Sequence, residues 1–118
     1  MLAKVLSSAV SGIDAYVVEV EVDITNGLPT FTTVGLPEAA VKESKERVRS
    51  ALKNSGYQFP PKRITVNLSP ADIKKEGPST DLAIALGLLA ASDQIDPLLI
   101  EKYILLGELS LDGRILPV

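Results

Sequence analysis

The chain has 118 residues, 46% of them hydrophobic and 23% charged, a composition that folds around one core rather than staying disordered. It contains no cysteine and no histidine, which excludes disulfides, thiolate nucleophiles, Cys/His zinc sites and any triad built on an imidazole base. A formal net charge of -3 excludes nucleic-acid binding through overall charge and leaves that role to local basic patches.

The opening MLAKVLSSAVSG has one lysine and no sustained apolar stretch, so it does not read as a secretory signal. Residues 3–10 are expected to join a sheet. In Tyr16 to Ile24, Val18, Val20, Val22 and Ile24 alternate with Glu19, Glu21 and Asp23, the period-two pattern of a strand with one wet face. Asn26-Gly27 signals a turn, and the β-branched FTTV of Phe31 to Val34 predicts a hairpin or wide turn after it.

Gly35-Leu36-Pro37 ends that strand, and Pro37 suits the first turn of a helix running to about Asn54, stopped by Ser55-Gly56. Val41, Val48, Ala51 and Leu52 form its predicted buried stripe. Glu38/Lys42 and Glu43/Arg47 stand at the favourable i,i+4 spacing on its wet faces. Beyond Pro60-Pro61, Arg63 to Leu68 alternates again and predicts a strand, followed by a polar loop over Ser69 to Gly77.

A second helix is predicted from Ser79 to about Ser92. Leu82 to Ala91 is apolar nearly all round, so this helix should be covered on most sides, with Gly87 allowing a neighbour close. That run is also the longest apolar one and falls well short of the roughly 20 residues of a membrane span. No membrane contact is expected, and the protein reads as cytoplasmic. Tyr103 to Leu111 predicts a strand, returned by Asp112-Gly113 into Arg114 to Val118. The order β-β-β-α-β-α-β-β implies an α/β chain of the α+β two-layer sandwich type, with a mixed sheet and helices on one face. The chain stops on an incomplete hairpin, from which a longer protein is expected.

In Glu76 to Asp81, EGPSTD, a serine follows a Gly-Pro turn and precedes an apolar helix. Ser, Thr and Asp favour helix starts because their oxygens accept orphan backbone N–H bonds, and Asp81 suits the positive end of the helix dipole. The competing reading is a serine nucleophile activated by a lysine. Lys74 and Lys75, next to Glu76, look solvated, whereas a lysine base must be desolvated to lower its pKa. No Gly-x-x-x-x-Gly-Lys-Ser/Thr loop and no Gly-x-Gly-x-x-Gly occurs in the chain. No cofactor or metal site is expected in these residues.

Basic side chains gather at Lys42, Lys45, Arg47, Arg49 and Lys53, and again at Lys62, Arg63, Lys74 and Lys75. The acids among them and an expected lack of exposed aromatics favour a solvated face over a nucleic-acid surface. A contact with DNA or another subunit, if made here, would fall to Lys42, Lys45, Arg49, Lys53, Lys62, Arg63, Lys74 and Lys75.

The segments VEVEVDITNGLPTFTTVGLPEAAVKESKERVRSALKNSG, FPPKRITVNLSPADIKKEGP, DLAIALGLLAAS and LGELSLDGRILPV resemble, in order and over essentially the whole chain, the N-terminal domain of bacterial Mg-chelatase-like AAA+ ATPases of the ComM/YifB type. The resemblance implies one accessory domain over residues 1–118, cut just before its last elements, with an AAA+ module downstream that supplies the Walker motifs and binds ATP and Mg²⁺. It further implies a hexameric, competence-related motor that acts on DNA by helicase or branch-migration activity. Its partners would be its own ATPase module, neighbouring subunits and single-stranded or branched DNA.

The domain is also similar to the proteolytic domain of Lon-type proteases and the C-terminal domain of RadA-type proteins, a fold related to the second domain of a ribosomal small-subunit protein. In Lon the matching motif is Gly-Pro-Ser-Ala-Gly, so its nucleophile aligns on Ser79. Here Thr80-Asp81 replaces the small Ala-Gly pair, and the chain ends before the catalytic lysine. The resemblance therefore implies an inactive Ser79, with a truncated Ser/Lys peptidase domain or a DNA-binding module as the alternatives.

Overall fold

The computed structural model describes residues 1–11, 14–70 and 78–117. Strands β1 (Leu2–Ser11), β2 (Asp14–Thr25), β3 (Thr30–Val34) and β4 (Arg63–Ser69) form one sheet in the order β1-β2-β4-β3. β1 and β4 flank β2 antiparallel, whereas β3 runs parallel to β4. The sheet is mixed, as the element order implies. The alternation in β2 decides which face is dry: Val18, Val20 and Val22 are fully buried, with Val5, Ile64, Val66 and Leu68 beside them on the same side.

No hairpin follows the Asn26-Gly27 turn. β4 lies between β2 and β3, and the chain crosses that gap before β3 begins. A parallel pair cannot be closed by a tight turn and needs a crossover, which helix α1 (Glu38–Asn54) supplies between β3 and β4.

Helix α1 turns Ser44, Val48, Ala51 and Leu52 inward, so Ser44 holds a buried place outside the predicted stripe and Val41 is only half-buried. Helix α2 (Asp81–Ala91) is buried nearly all round, packed on β1 and β2 beneath it and α1 beside it. At Gly87 a Cβ would lie 2.7 Å from Val22 Cγ2 and 3.5 Å from Val5 Cγ2, so the helix rides directly on the sheet. Both helices feed one core on one sheet face, the two-layer α+β arrangement. On the other face Lys4 reaches Glu19 at 3.7 Å and Glu21 at 4.0 Å, an exposed cross-strand pairing of little energetic weight.

Two expectations in the second half need correction. Helix α2 begins at Asp81, not Ser79, because Pro78 to Thr80 form a turn whose Pro78 carbonyl accepts from Asp81 N–H at 3.0 Å. The segment Tyr103 to Leu111 is not one strand either. It makes a single parallel bridge from Ile104 to Leu6 on the outer edge of β1, then breaks at Gly107, and resumes as β5 (Glu108–Leu109). The cause is that the Gly107 backbone is taken up by α2: its N–H donates to the Ser79 carbonyl and its carbonyl accepts from Leu82 N–H, each at 3.0 Å. Past Asp112-Gly113 the chain returns as β6 (Ile115–Leu116) against β5, as expected. Among the described residues, no helix is long and apolar enough to cross a membrane.

Candidate functional site

The α1 side chains divide into two sets with opposite fates. Arg47, read from sequence as one of the surface cations, turns inward and meets Asp81, the first residue of α2. Arg47 Nε donates to Asp81 Oδ2 at 2.6 Å and Nη2 to Oδ1 at 3.2 Å, Ser44 Oγ donates to Oδ1 at 3.0 Å, and Leu109 N–H to Oδ2 at 3.3 Å. The hydrogen bond to Asp81 raises the Arg47 pKa above its ordinary value, against the opposing effect of partial burial. A fully buried carboxylate with four donors is a packing joint between α1, α2 and β5.

Lys45, Arg49 and Lys53 point the other way. Four residues apart, they lie along one stripe of α1 with a rise of about 6 Å between neighbours. The stripe walls a cleft of about 580 Å³ whose opposite side is the loop Tyr57 to Lys62 and whose end is Pro29 to Phe31, where β3 begins. Phe31 and Phe59 form its apolar floor, ring centroids 6.0 Å apart and tilted by 32°. Tyr57 stands on the rim, 41% exposed.

The loop is held from outside. Gln94 accepts from Gln58 N–H and donates to the Gln58 carbonyl, both at 2.8 Å, while Tyr57 N–H donates to the Leu52 carbonyl at 2.9 Å. Pro60 and Pro61 restrict the backbone further. Among the described residues no carboxylate lines the cleft, and none of Lys45, Arg49, Lys53 and Lys62 belongs to an ion pair.

Of the eight basic residues singled out from sequence, these four come together. Lys42 is exposed on α1 away from the cleft lining, and Arg63 falls on the open sheet face, in register with Thr25 and Thr30. Lys74 and Lys75 lie outside the described residues. The expected lack of exposed aromatics is corrected here: Tyr57, between Lys53 and Lys62 in sequence, is exposed, and Phe59 and the distant Phe31 line the same cleft because the fold brings β3 against the loop after α1. Ser79 is half-buried in the turn before α2, and neither it nor the helix-flanking Thr80 makes a side-chain cap bond. The capping work expected of Ser79 passes to the Gly107 carbonyl on Leu82 N–H.

The chain is 54% identical over 114 residues to the uncharacterised protein YifB of Salmonella typhimurium and 53% identical over 114 residues to the competence protein ComM of Haemophilus influenzae; each match covers 97% of this chain and 22% of the relative. A third relative, YifB of Escherichia coli, is 52% identical with the same coverage. The chain thus spans about a fifth of the length of these relatives. The family profile described as subunit ChlI of Mg-chelatase matches residues 20–118, and the chain belongs to that Mg-chelatase family.

Proposed function

We propose that this chain is the amino-terminal accessory domain of a longer Mg-chelatase-like AAA+ ATPase, with no catalytic residues of its own, and that the whole protein is a cytoplasmic, hexameric, DNA-acting motor of helicase or branch-migration type in a competence-related process. The observation that carries this reading is the pairing of 53% identity to a competence protein with coverage of 22% of its length. ATP and Mg²⁺ then belong to a module outside these residues. The sequence of this chain holds no Gly-x-x-x-x-Gly-Lys-Ser/Thr phosphate-binding loop for them.

Two features of the fold support an accessory role over a peptidase. Asp81, two residues after the candidate nucleophile, is committed to the joint with Ser44, Arg47 and Leu109. The Ser79 carbonyl is likewise tied to Gly107, so the turn that would present a nucleophile is locked into the packing of α2. The domain acts by contact, with its own ATPase module, with neighbouring subunits and with DNA.

The test compares DNA-stimulated ATP hydrolysis and branch migration by the full-length protein with a form lacking residues 1–118. Hydrolysis that survives while DNA stimulation or branch migration falls is the expected result. Unchanged rates in both assays overturn the accessory reading and return Ser79 to consideration with a peptidase assay.

A further inference from the structure

The cleft between α1 and the loop Tyr57 to Lys62 combines three properties that a solvated charged face lacks. Among the described residues its cations belong to no ion pair, its floor is apolar and aromatic, and its walls are fixed before any ligand arrives. We infer that this cleft binds single-stranded nucleic acid, with backbone phosphates along Lys45, Arg49 and Lys53 and a base stacked on Tyr57 above the Phe31–Phe59 floor. The inference deepens the motor reading by naming the surface, and rests on it only for its place in the longer protein.

The spacing argues for a polymer of regularly repeated charge. Three cations one helical turn apart, at about 6 Å intervals, form a straight even row, which suits an extended strand with one phosphate per nucleotide. The aromatic rim argues for bases with their faces free. Base–aromatic stacking is tolerant of sequence but needs the π-face unpaired and unstacked, which a single strand offers and a duplex interior does not. An acidic peptide would answer the charges, yet it would leave the exposed Tyr57 face and the apolar floor to chance.

The surroundings sharpen the site. The whole chain is net negative at -3, so the four cations of the cleft, none of them in an ion pair among the described residues, stand out locally against the overall charge. Lys62 closes the row from the loop side, where its carbonyl accepts from Thr30 N–H at 3.3 Å and fixes the mouth against β3. Gln94 anchors the same loop to the turn after α2, so little ordering is left to occur on binding.

The test is fluorescence anisotropy of the chain with a labelled oligothymidine, a duplex of equal length and an oligoglutamate peptide, over a salt series. Oligothymidine should bind best, with affinity falling steeply as salt rises. The pair Arg49→Glu and Lys53→Glu should lower affinity at least tenfold and flatten the salt slope. Tyr57→Ala should lower it roughly fivefold or more with the slope unchanged, and Tyr57→Phe should restore it. Lys102→Ala, on the exposed turn before Tyr103, should change nothing.

Folding of each variant is checked by its urea midpoint, and the exposed charge substitutions keep the question answerable if Tyr57→Ala unfolds. No saturable oligothymidine binding, equal or tighter binding of oligoglutamate, or indifference to Tyr57→Ala in a folded chain each overturns the inference. Failure here with branch migration still dependent on residues 1–118 would leave the motor reading standing. Binding here without that dependence would sink the motor reading instead.

Discussion

Arg47 Nε donates to Asp81 Oδ2 at 2.6 Å, which ties the third turn of α1 to the first residue of α2 across 34 positions of sequence. Asp81 is almost wholly excluded from solvent and Arg47 mostly so. Removing one partner of such a pair strands the other charge, whereas replacing both with apolar groups does not. Arg47→Ala should therefore destabilise the chain by about 3 kcal/mol, and the double change Arg47→Met with Asp81→Leu by clearly less. Urea unfolding of the two variants decides it. A loss below about 1 kcal/mol for Arg47→Ala would mean that the joint is ornamental.

Gly87 sets the distance between α2 and the sheet. A methyl group there meets Val22 Cγ2 at 2.7 Å, and a β-branched side chain in a packed strand has little freedom to move aside. Gly87→Ala should cost about 1–3 kcal/mol from overpacking, partly offset by the better helix propensity of alanine. Combining it with Val22→Ala should recover part of the loss beyond additivity, a coupling that thermal or urea midpoints of the four forms would reveal. Additive losses would place the strain elsewhere.

What the sequence made legible was local. The alternation of Val18 to Ile24 and the i,i+4 spacing along α1 are written in consecutive residues, and both elements formed where expected. The choice of partner for β3 was not legible, because Thr30 to Val34 has the same β-branched pattern whether it pairs with β2 or, after a crossover, with β4. The break at Gly107 was hidden for the same reason, since its backbone bonds go to Ser79 and Leu82. At the cleft, Lys45, Arg49 and Lys53 could be read as a stripe, but Phe31 and Phe59 meet only through the fold.

Gly35 closes the parallel strand before α1 with φ at +100°, and a Cβ there would lie 2.6 Å from the Leu68 carbonyl oxygen. That neighbour is backbone and cannot rotate away. Gly35→Ala should thus cost about 2 kcal/mol or more through left-handed strain and displacement of β4. Hydrogen exchange should localise the damage to the β3–β4 ladder. Full protection of Val66 and Leu68 amides in the variant would refute the assignment.

Among the described residues Ser79 makes no side-chain hydrogen bond and helix α2 is flanked by Thr80 instead, so loss of the Ser79 hydroxyl should be nearly silent. Ser79→Ala is expected to shift stability by less than about 0.5 kcal/mol, well short of the roughly 1 kcal/mol lost when a true N-cap is replaced. A full cap penalty in a urea titration would mean that the hydroxyl satisfies an α2 donor after all.

The β5–β6 turn carries an acidic group whose titration is displaced. Asp112 accepts from Ser110 Oγ, from Arg114 N–H at 3.1 Å and from Arg114 Nε at 3.0 Å. The Ser110 hydroxyl, then the Arg114 backbone, hold its pKa at about 2 against an ordinary 3.8. A carboxylate depressed in the folded state stabilises it fully above the unfolded value and loses that contribution as pH falls through the folded one. The turn should therefore keep its geometry at pH 4 and loosen only between about 3.8 and about 2. Because the group is fully exposed, the effect on global stability should be slight and weakened by salt. Carboxyl-carbon NMR of Asp112 gives the midpoint directly, and Ser110→Ala should move it upward. A midpoint near that of a free aspartate in the unaltered chain would remove the turn's hydrogen bonds as its cause.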